Sequence, residues 1–208
     1  MKILLVDDHA VVRQGLKQIL ADNLHHAVFG EAGNAQEALG LIWQDRWDVV
    51  VLDVSLPGRG GLEVLREIKQ SRPKLPVLVL SMHPEDQFAV RMLKAGAAGY
   101  MTKESAPDAL VGAINKVLAG GRYVSPALAE KMASYLAVDI QKAPHERLSD
   151  REFQVLCLIA SGKTVTQIAK ELSLSVKTIS TYRTRILEKM HMRTNAELIH
   201  YAIQNQLT

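Results

Sequence analysis

Four apolar runs in this chain of 208 residues end in a side chain able to take part in a reaction. ILLV (3–6) runs into Asp7 and Asp8, VVVL (49–52) into Asp53, VLVL (77–80) into Ser81, and GYMT (99–102) into Lys103. A buried run does not end in charge unless something nearby receives that charge. Three carboxylates gathered at one place repel one another and attract a cation. Oxygen donors without His or Cys at matching spacing favour Mg²⁺. Held by few carboxylates, Mg²⁺ keeps open positions that a phosphoryl oxygen fills. Lys103 supplies a point charge for an anionic oxygen, and the Ser81 hydroxyl supplies a hydrogen bond. Asp53 is then the candidate nucleophile, because carboxylates form aspartyl-phosphates. Phosphoryl transfer asks the protein for positioning and electrostatics more than for covalent work. His9 is taken as the residue that follows the acidic pair, and His25-His26 as a strand entrance without a partner cluster.

These residues meet only if the runs are neighbouring strands. Apolar runs at 2–6, 26–32, 47–53, 76–81 and 98–102 alternate with helix-like segments at about 9–22, 34–45, 60–71, 84–95 and 105–118. LLV and VVVL are apolar on both faces, as strands covered by helices above and below must be. Five β–α repeats imply a parallel, doubly wound α/β sheet with right-handed crossovers. Ligands of such sheets bind beyond the carboxyl ends of the strands, the rim on which all five side chains would lie. Ser105, followed by Pro107 and Asp108, reads as a helix start, and Gly120-Gly121 as that helix's end.

Together, the DD pair, VVVLDVSLPGRGG, the serine after VLVL and GYMTK resemble response-regulator receiver domains of two-component systems. The resemblance covers residues 1–120 and implies a flavodoxin-like strand order of 2-1-3-4-5. It also implies residue roles. Asp53 would accept a phosphoryl group from a histidine kinase. Asp8 and Asp53 would bind Mg²⁺ directly, Asp7 through water and Ser55 through its backbone carbonyl. Ser81 and Lys103 would contact the phosphate, and Tyr100 would match the family's aromatic rotamer switch.

Residues 126–137 read as one more short helix and 139–147 as a linker. The expected division is a receiver at 1–121, a linker with a short helix at 122–145, and a smaller all-α domain at 146–208. In the last of these, Ser149-x-x-Glu152, Thr164-x-x-Gln167 and Thr194-x-x-Glu197 have the spacing of capping boxes, and Ser175 fits an N-cap. Residues 164–190 read as helix, turn, helix. At about 100° per residue, Ile179, Tyr182, Ile186 and Met190 share one face of the second helix. Lys177, Thr178, Thr181, Thr184 and Arg185 share the opposite face, with Ser180 at its margin. Cations and small hydroxyls with little bulk suit a major groove. The segment from LSDREFQ to ILEKM resembles the helix-turn-helix DNA-binding domain of LuxR-type regulators, and the two halves together resemble the NarL/FixJ class.

Charge agrees with this division. Residues 1–145 carry 16 Lys+Arg against 16 Asp+Glu, and 146–208 carry 9 against 6, so the net +3 lies wholly in the tail. A neutral domain ahead of a basic one fits a sensor joined to a polyanion binder. The single cysteine, Cys157, excludes an intrachain disulfide framework and fits a reducing cytoplasm. ILLV ends in DD without a cleavage site, so no signal peptide is expected, and no apolar stretch approaches the roughly 18 residues of a membrane span. The expected protein is a regulator, not an enzyme, which dimerises when phosphorylated and binds promoter DNA. One rival is a DNA binder indifferent to phosphorylation. Another is an aspartyl-phosphate phosphatase, which resembles DxDxT with a second Asp as proton donor; Ser55 stands there instead.

Overall fold

A computed structural model describes residues 1–82, 85–126, 128–130, 132, 143–205 and 207, with the backbone alone for 85–87. The chain forms two compact units, Met1–Glu130 and Lys131–Thr208.

In the first unit five strands, β1 (Lys2–Val6), β2 (Val28–Ala32), β3 (Val49–Asp53), β4 (Val77–Ser81) and β5 (Gly99–Thr102), alternate with α1 (Ala10–Asn23), α2 (Ala35–Gln44), α3 (Gly61–Ser71), α4 (Glu85–Lys94) and α5 (Ala106–Leu118). All strand pairs are parallel, in the order β2-β1-β3-β4-β5. Ile3, Leu5, Val49, Val51, Leu78, Leu80 and Met101 form one core layer with Leu16 and Leu20 of α1 and Leu110, Ala113, Ile114 and Val117 of α5. Their strand neighbours Leu4, Val50, Leu52 and Val79 are equally buried and point to the other face, because successive side chains alternate. Burial on both faces is why these strands read as unbroken apolar runs. Each such side chain contributes about 1.5–3 kcal/mol relative to exposure.

One boundary differs from expectation. β2 begins at Val28 because His26 lies at φ 69°, in a turn before the strand. α5 starts where expected, with Ser105 at its N-cap position and the Ser105 carbonyl accepting from the Ala109 N–H at 3.1 Å, while the Ser105 hydroxyl donates to the Thr102 carbonyl at 2.9 Å. Gly120, at φ 82°, stands just beyond α5, in the left-handed conformation that glycine adopts without strain. Of the expected helix at 126–137, residues 126, 128–130 and 132 are helical, and the remainder lies outside the described residues, as does 139–142 of the linker.

From residue 143 on, the second unit shows a 3₁₀ turn (Pro144–Arg147). α6 (Asp150–Ala160), α7 (Val165–Glu171), α8 (Val176–Met190) and α9 (Asn195–Gln204) follow. Ser149 and Thr164 form full capping boxes, and Ser175 accepts from the Thr178 N–H. At α9 the box is one-sided: Thr194 accepts from the Glu197 N–H, but Glu197 reaches back to the Arg193 N–H at 2.9 Å. Buried Glu152 also accepts from Lys189 at 2.6 Å, tying the start of α6 to the end of α8. Among the described residues, no helix is long and apolar enough to cross a membrane.

Candidate functional site

The five sheet-rim residues of the sequence come from the C-terminal ends of four strands, as a doubly wound sheet requires. Asp7 follows β1 and is buried, with its N–H donating to Ala32 O at 3.1 Å. Asp53 ends β3 and is also buried, and Asp8 is partly open to solvent, at 32% side-chain exposure. Ligand atoms of Asp7, Asp8, His9 and Asp53 all lie within 4.8 Å of one another. Lys103 reaches in from the loop after β5, its Nζ 2.9 Å from Asp53 Oδ2 and 2.6 Å from Asp7 Oδ2. The Lys103 N–H is itself tied to Ser81 O at 2.8 Å, which joins the ends of β4 and β5. Ser81 is wholly buried at the end of β4, and Tyr100 is wholly buried within β5, paired in register with Val79. Ser55 stands half-buried two residues past Asp53.

Burial pushes the Asp53 carboxyl above the ordinary carboxylate range. The Lys103 charge opposes that shift, and the Asp7 charge adds to it. Burial would lower the Lys103 ammonium, yet the carboxylates around it hold it above its usual value. One cation among three carboxylates leaves the corner short of positive charge. Asp53 Oδ1 is buried and accepts no hydrogen bond among the described residues. Asp7 Oδ2 is buried too and, despite its closeness to Lys103, is not aligned with it as a hydrogen bond. An orphaned, buried carboxylate oxygen costs free energy unless a cation or donor meets it. A hard divalent cation fits this donor set.

Three neighbours of the corner escaped sequence reasoning. His9 belongs to the cluster: its Nδ1 lies 2.9 Å from Asp8 Oδ1 and 3.2 Å from Asp7 Oδ1, with the ring largely exposed. Arg13, on α1, donates through Nη1 to Asp7 O at 2.5 Å and leans on Glu31 of β2, which also accepts from Lys17. That guanidinium fixes the main chain from which the acidic pair projects. Gly61 opens α3 with its N–H on Val54 O at 2.9 Å, and a Cβ there would stand 2.2 Å from Asp53 O. The obstacle is the backbone of Asp53 itself and cannot swing aside. Gly61→Ala is therefore expected to cost the first unit about 1–3 kcal/mol by overpacking, read as a lower urea midpoint. Gly40→Ala, where a Cβ meets nothing within 4 Å, is expected to leave the midpoint unchanged or raise it.

In the second unit Ile179, Ile186 and Met190 are buried and Tyr182 is half-buried, so the expected inner face of α8 is the packed one. Lys177, Ser180, Thr181, Thr184 and Arg185 are exposed; Thr178 is half-buried, with its hydroxyl 2.8 Å from that of the cap Ser175.

A five-stranded doubly wound unit with an acidic corner and a Lys at the strand ends, followed by a helix-turn-helix unit with a cationic outer face, defines a phosphoacceptor regulator that binds DNA. Comparison with known proteins gives the family. The model of the response regulator receiver domain matches residues 3–115, and that of the bacterial regulatory proteins of the luxR family matches residues 146–202. The chain belongs to the two-component response regulators with a LuxR-type DNA-binding domain, the NarL/FixJ class. It is 38% identical to the response regulator UvrY of Escherichia coli over 208 residues, covering 100% of this chain and 95% of that protein. It is 40% identical to the response regulator GacA of Pseudomonas aeruginosa over 206 residues, covering 99% and 96%. Among solved structures, RcsB of Salmonella typhimurium matches at a TM-score of 0.70 with 26% identity, covering 99% of this chain and 98% of that one. A structure of RcsB bound to promoter rprA in the presence of phosphomimetic BeF₃⁻ matches at 0.65 with 28% identity, covering 97% and 98%. Membership makes this chain a transcriptional regulator whose receiver takes its phosphoryl group from a histidine kinase.

Proposed function

We propose that Asp53 is the phosphoacceptor, and that its phosphorylation shifts the chain toward a dimer with higher affinity for promoter DNA. The observation that carries this reading is the buried Asp53 carboxylate: Oδ2 sits on Lys103, and Oδ1 has no aligned donor among the described residues, with only the nearby Ser55 backbone N–H also acting on the carboxyl. A carboxylate oxygen attacks phosphorus, the phosphorus–nitrogen bond to the kinase histidine breaks, and the imidazole leaves with its electron pair. Asp7, Asp8 and Asp53, with the Ser55 carbonyl, would hold Mg²⁺, which would offset the charge that opposes attack by one anion on another. Lys103 and Ser81 hold the phosphoryl oxygens in the product. Their movement toward the phosphoryl group repacks Tyr100 and changes the surface around β4, α4 and β5. The function is carried by residues 1–121 as receiver, 122–145 as linker with a short helix and 146–208 as DNA-binding domain, in the cytoplasm. The protein is a regulator and not an enzyme; sustained turnover of a generic phosphate ester would contradict that. Incubation with acetyl phosphate and Mg²⁺, borohydride trapping and peptide mass spectrometry test the acceptor. Label at Asp53 is expected, and label confined to any other residue would overturn the assignment.

Lys177, Thr178, Ser180, Thr181, Thr184 and Arg185 face the DNA, with α8 in the major groove and two tails on half-sites about one helical turn apart. Affinity is expected to fall steeply with salt, because phosphate-bound cations release counterions. Fluorescence anisotropy on labelled duplex across a salt series reads the slope, and a flat response contradicts the groove assignment.

A further inference from the structure

The outer face of α8 carries three hydroxyls that each donate to a carbonyl one turn back in the helix. Ser180 Oγ donates to Val176 O at 2.9 Å, Thr181 Oγ1 to Lys177 O at 3.0 Å, and Thr184 Oγ1 to Ser180 O at 3.1 Å. All three residues are exposed. A hydroxyl has one proton and two lone pairs. While the proton is given to a carbonyl four residues back, the lone pairs are what face outward.

That polarity sorts the groups of a duplex. Phosphate oxygens, guanine O6 and N7, adenine N7 and thymine O4 are acceptors and offer nothing to an acceptor. In the major groove the donors are the cytosine N4 and adenine N6 amino groups. From this geometry we infer that Ser180, Thr181 and Thr184 determine sequence specificity by accepting hydrogen bonds from cytosine and adenine amino groups. Phosphate and guanine contacts fall to Lys177 and Arg185, which have only protons to give. The inference rests on α8 lying in the major groove. It divides the face into a cationic part that sets affinity and salt dependence and a hydroxyl part that sets sequence.

Thr→Val substitution suits the test, because it keeps the β-branched shape and one methyl while deleting the oxygen. Duplexes bound by the full chain, treated with acetyl phosphate and Mg²⁺, are selected from a randomised pool. Anisotropy on the selected sequence then compares wild type with Thr181→Val, Thr184→Val and Ser180→Ala. Each variant is expected to bind about 5- to 50-fold more weakly, the range of a lost base contact, with the wild-type slope of affinity against salt. In wild type, replacing the contacted adenine by purine, or cytosine by pyrimidin-2-one, removes the amino group and should cause the same loss. In the matching variant that replacement should cause no further loss. A shallower salt slope in the valine variants would assign the hydroxyls to phosphates and overturn the inference, as would wild-type indifference to the amino-free bases. Wild type that binds no duplex at any salt would remove the groove reading itself, a result distinct from either.

Discussion

Asp53→Asn is expected to lower incorporation of acid-labile phosphate from acetyl phosphate by on the order of 100-fold or more, to background, with the fold intact. The amide matches the carboxylate in shape but lacks its nucleophilic oxygen. Asp53 also carries the charge that Lys103 pairs with at 2.9 Å. Burial makes that charge costly and raises the carboxyl's pKa, so removing it relieves as well as removes an interaction. Thermal stability should therefore hold steady or rise while phosphorylation disappears. Phosphate retained in Asp53→Asn at the wild-type level would place the acceptor elsewhere. Mass analysis of the intact chain, read beside a melting curve, separates loss of chemistry from loss of fold.

Asp8→Ala is expected to abolish phosphorylation at millimolar Mg²⁺ while leaving Asp53 in place. Of the three carboxylates, Asp8 is the one open to solvent, and Asp7 and Asp53 are buried against Lys103. A cation entering from solvent therefore meets Asp8 first, beside the unmet buried oxygen of Asp53. Losing one of few hard oxygen ligands should weaken Mg²⁺ binding by more than the roughly 10- to 100-fold that losing an outer-shell partner costs. Isothermal titration with Mg²⁺ alone reads the binding, and phosphorylation across a Mg²⁺ series reads its consequence. His9→Ala, which keeps all three carboxylates, is the companion variant and should still require Mg²⁺. Undiminished Mg²⁺ binding by Asp8→Ala would break the account of this corner.

Much of this architecture is legible in the sequence because it follows from local pattern. Runs apolar on both faces, such as VVVL, announce covered parallel strands, and strand ends place Asp7, Asp53, Ser81 and Lys103 on one rim before any coordinate is known. The inner face of α8 follows from helical period, with Ile179, Ile186 and Met190 buried as the spacing requires. Contacts between distant residues leave no such trace. Arg13 lies one helical turn into α1, and nothing in its spacing tells that it grips the Asp7 carbonyl rather than solvent. The bond from Lys189 to Glu152 spans 37 residues, and the capping-box pattern alone accounts for Glu152. Gly61 reads as loop composition until its missing Cβ is seen to make room for the Asp53 carbonyl. A cap pattern fails where a competing partner is nearer: Glu197 prefers the N–H of Arg193 to that of the cap residue. A histidine after two aspartates has no fixed direction in the sequence; the turn at the start of α1 brings the His9 ring back onto both.

Phosphorylation of Asp53 is expected to change DNA binding by α8. This coupling is tested most directly by anisotropy on one promoter duplex at fixed salt, with and without acetyl phosphate and Mg²⁺, for wild type and Asp53→Asn side by side. The account predicts that the phosphoryl donor tightens wild-type binding at least ~10-fold, the scale of coupling between linked sites, and leaves Asp53→Asn unmoved. Equal affinity of wild type with and without the donor, under conditions where mass analysis finds Asp53 phosphorylated, would contradict it and leave a DNA binder indifferent to its own receiver.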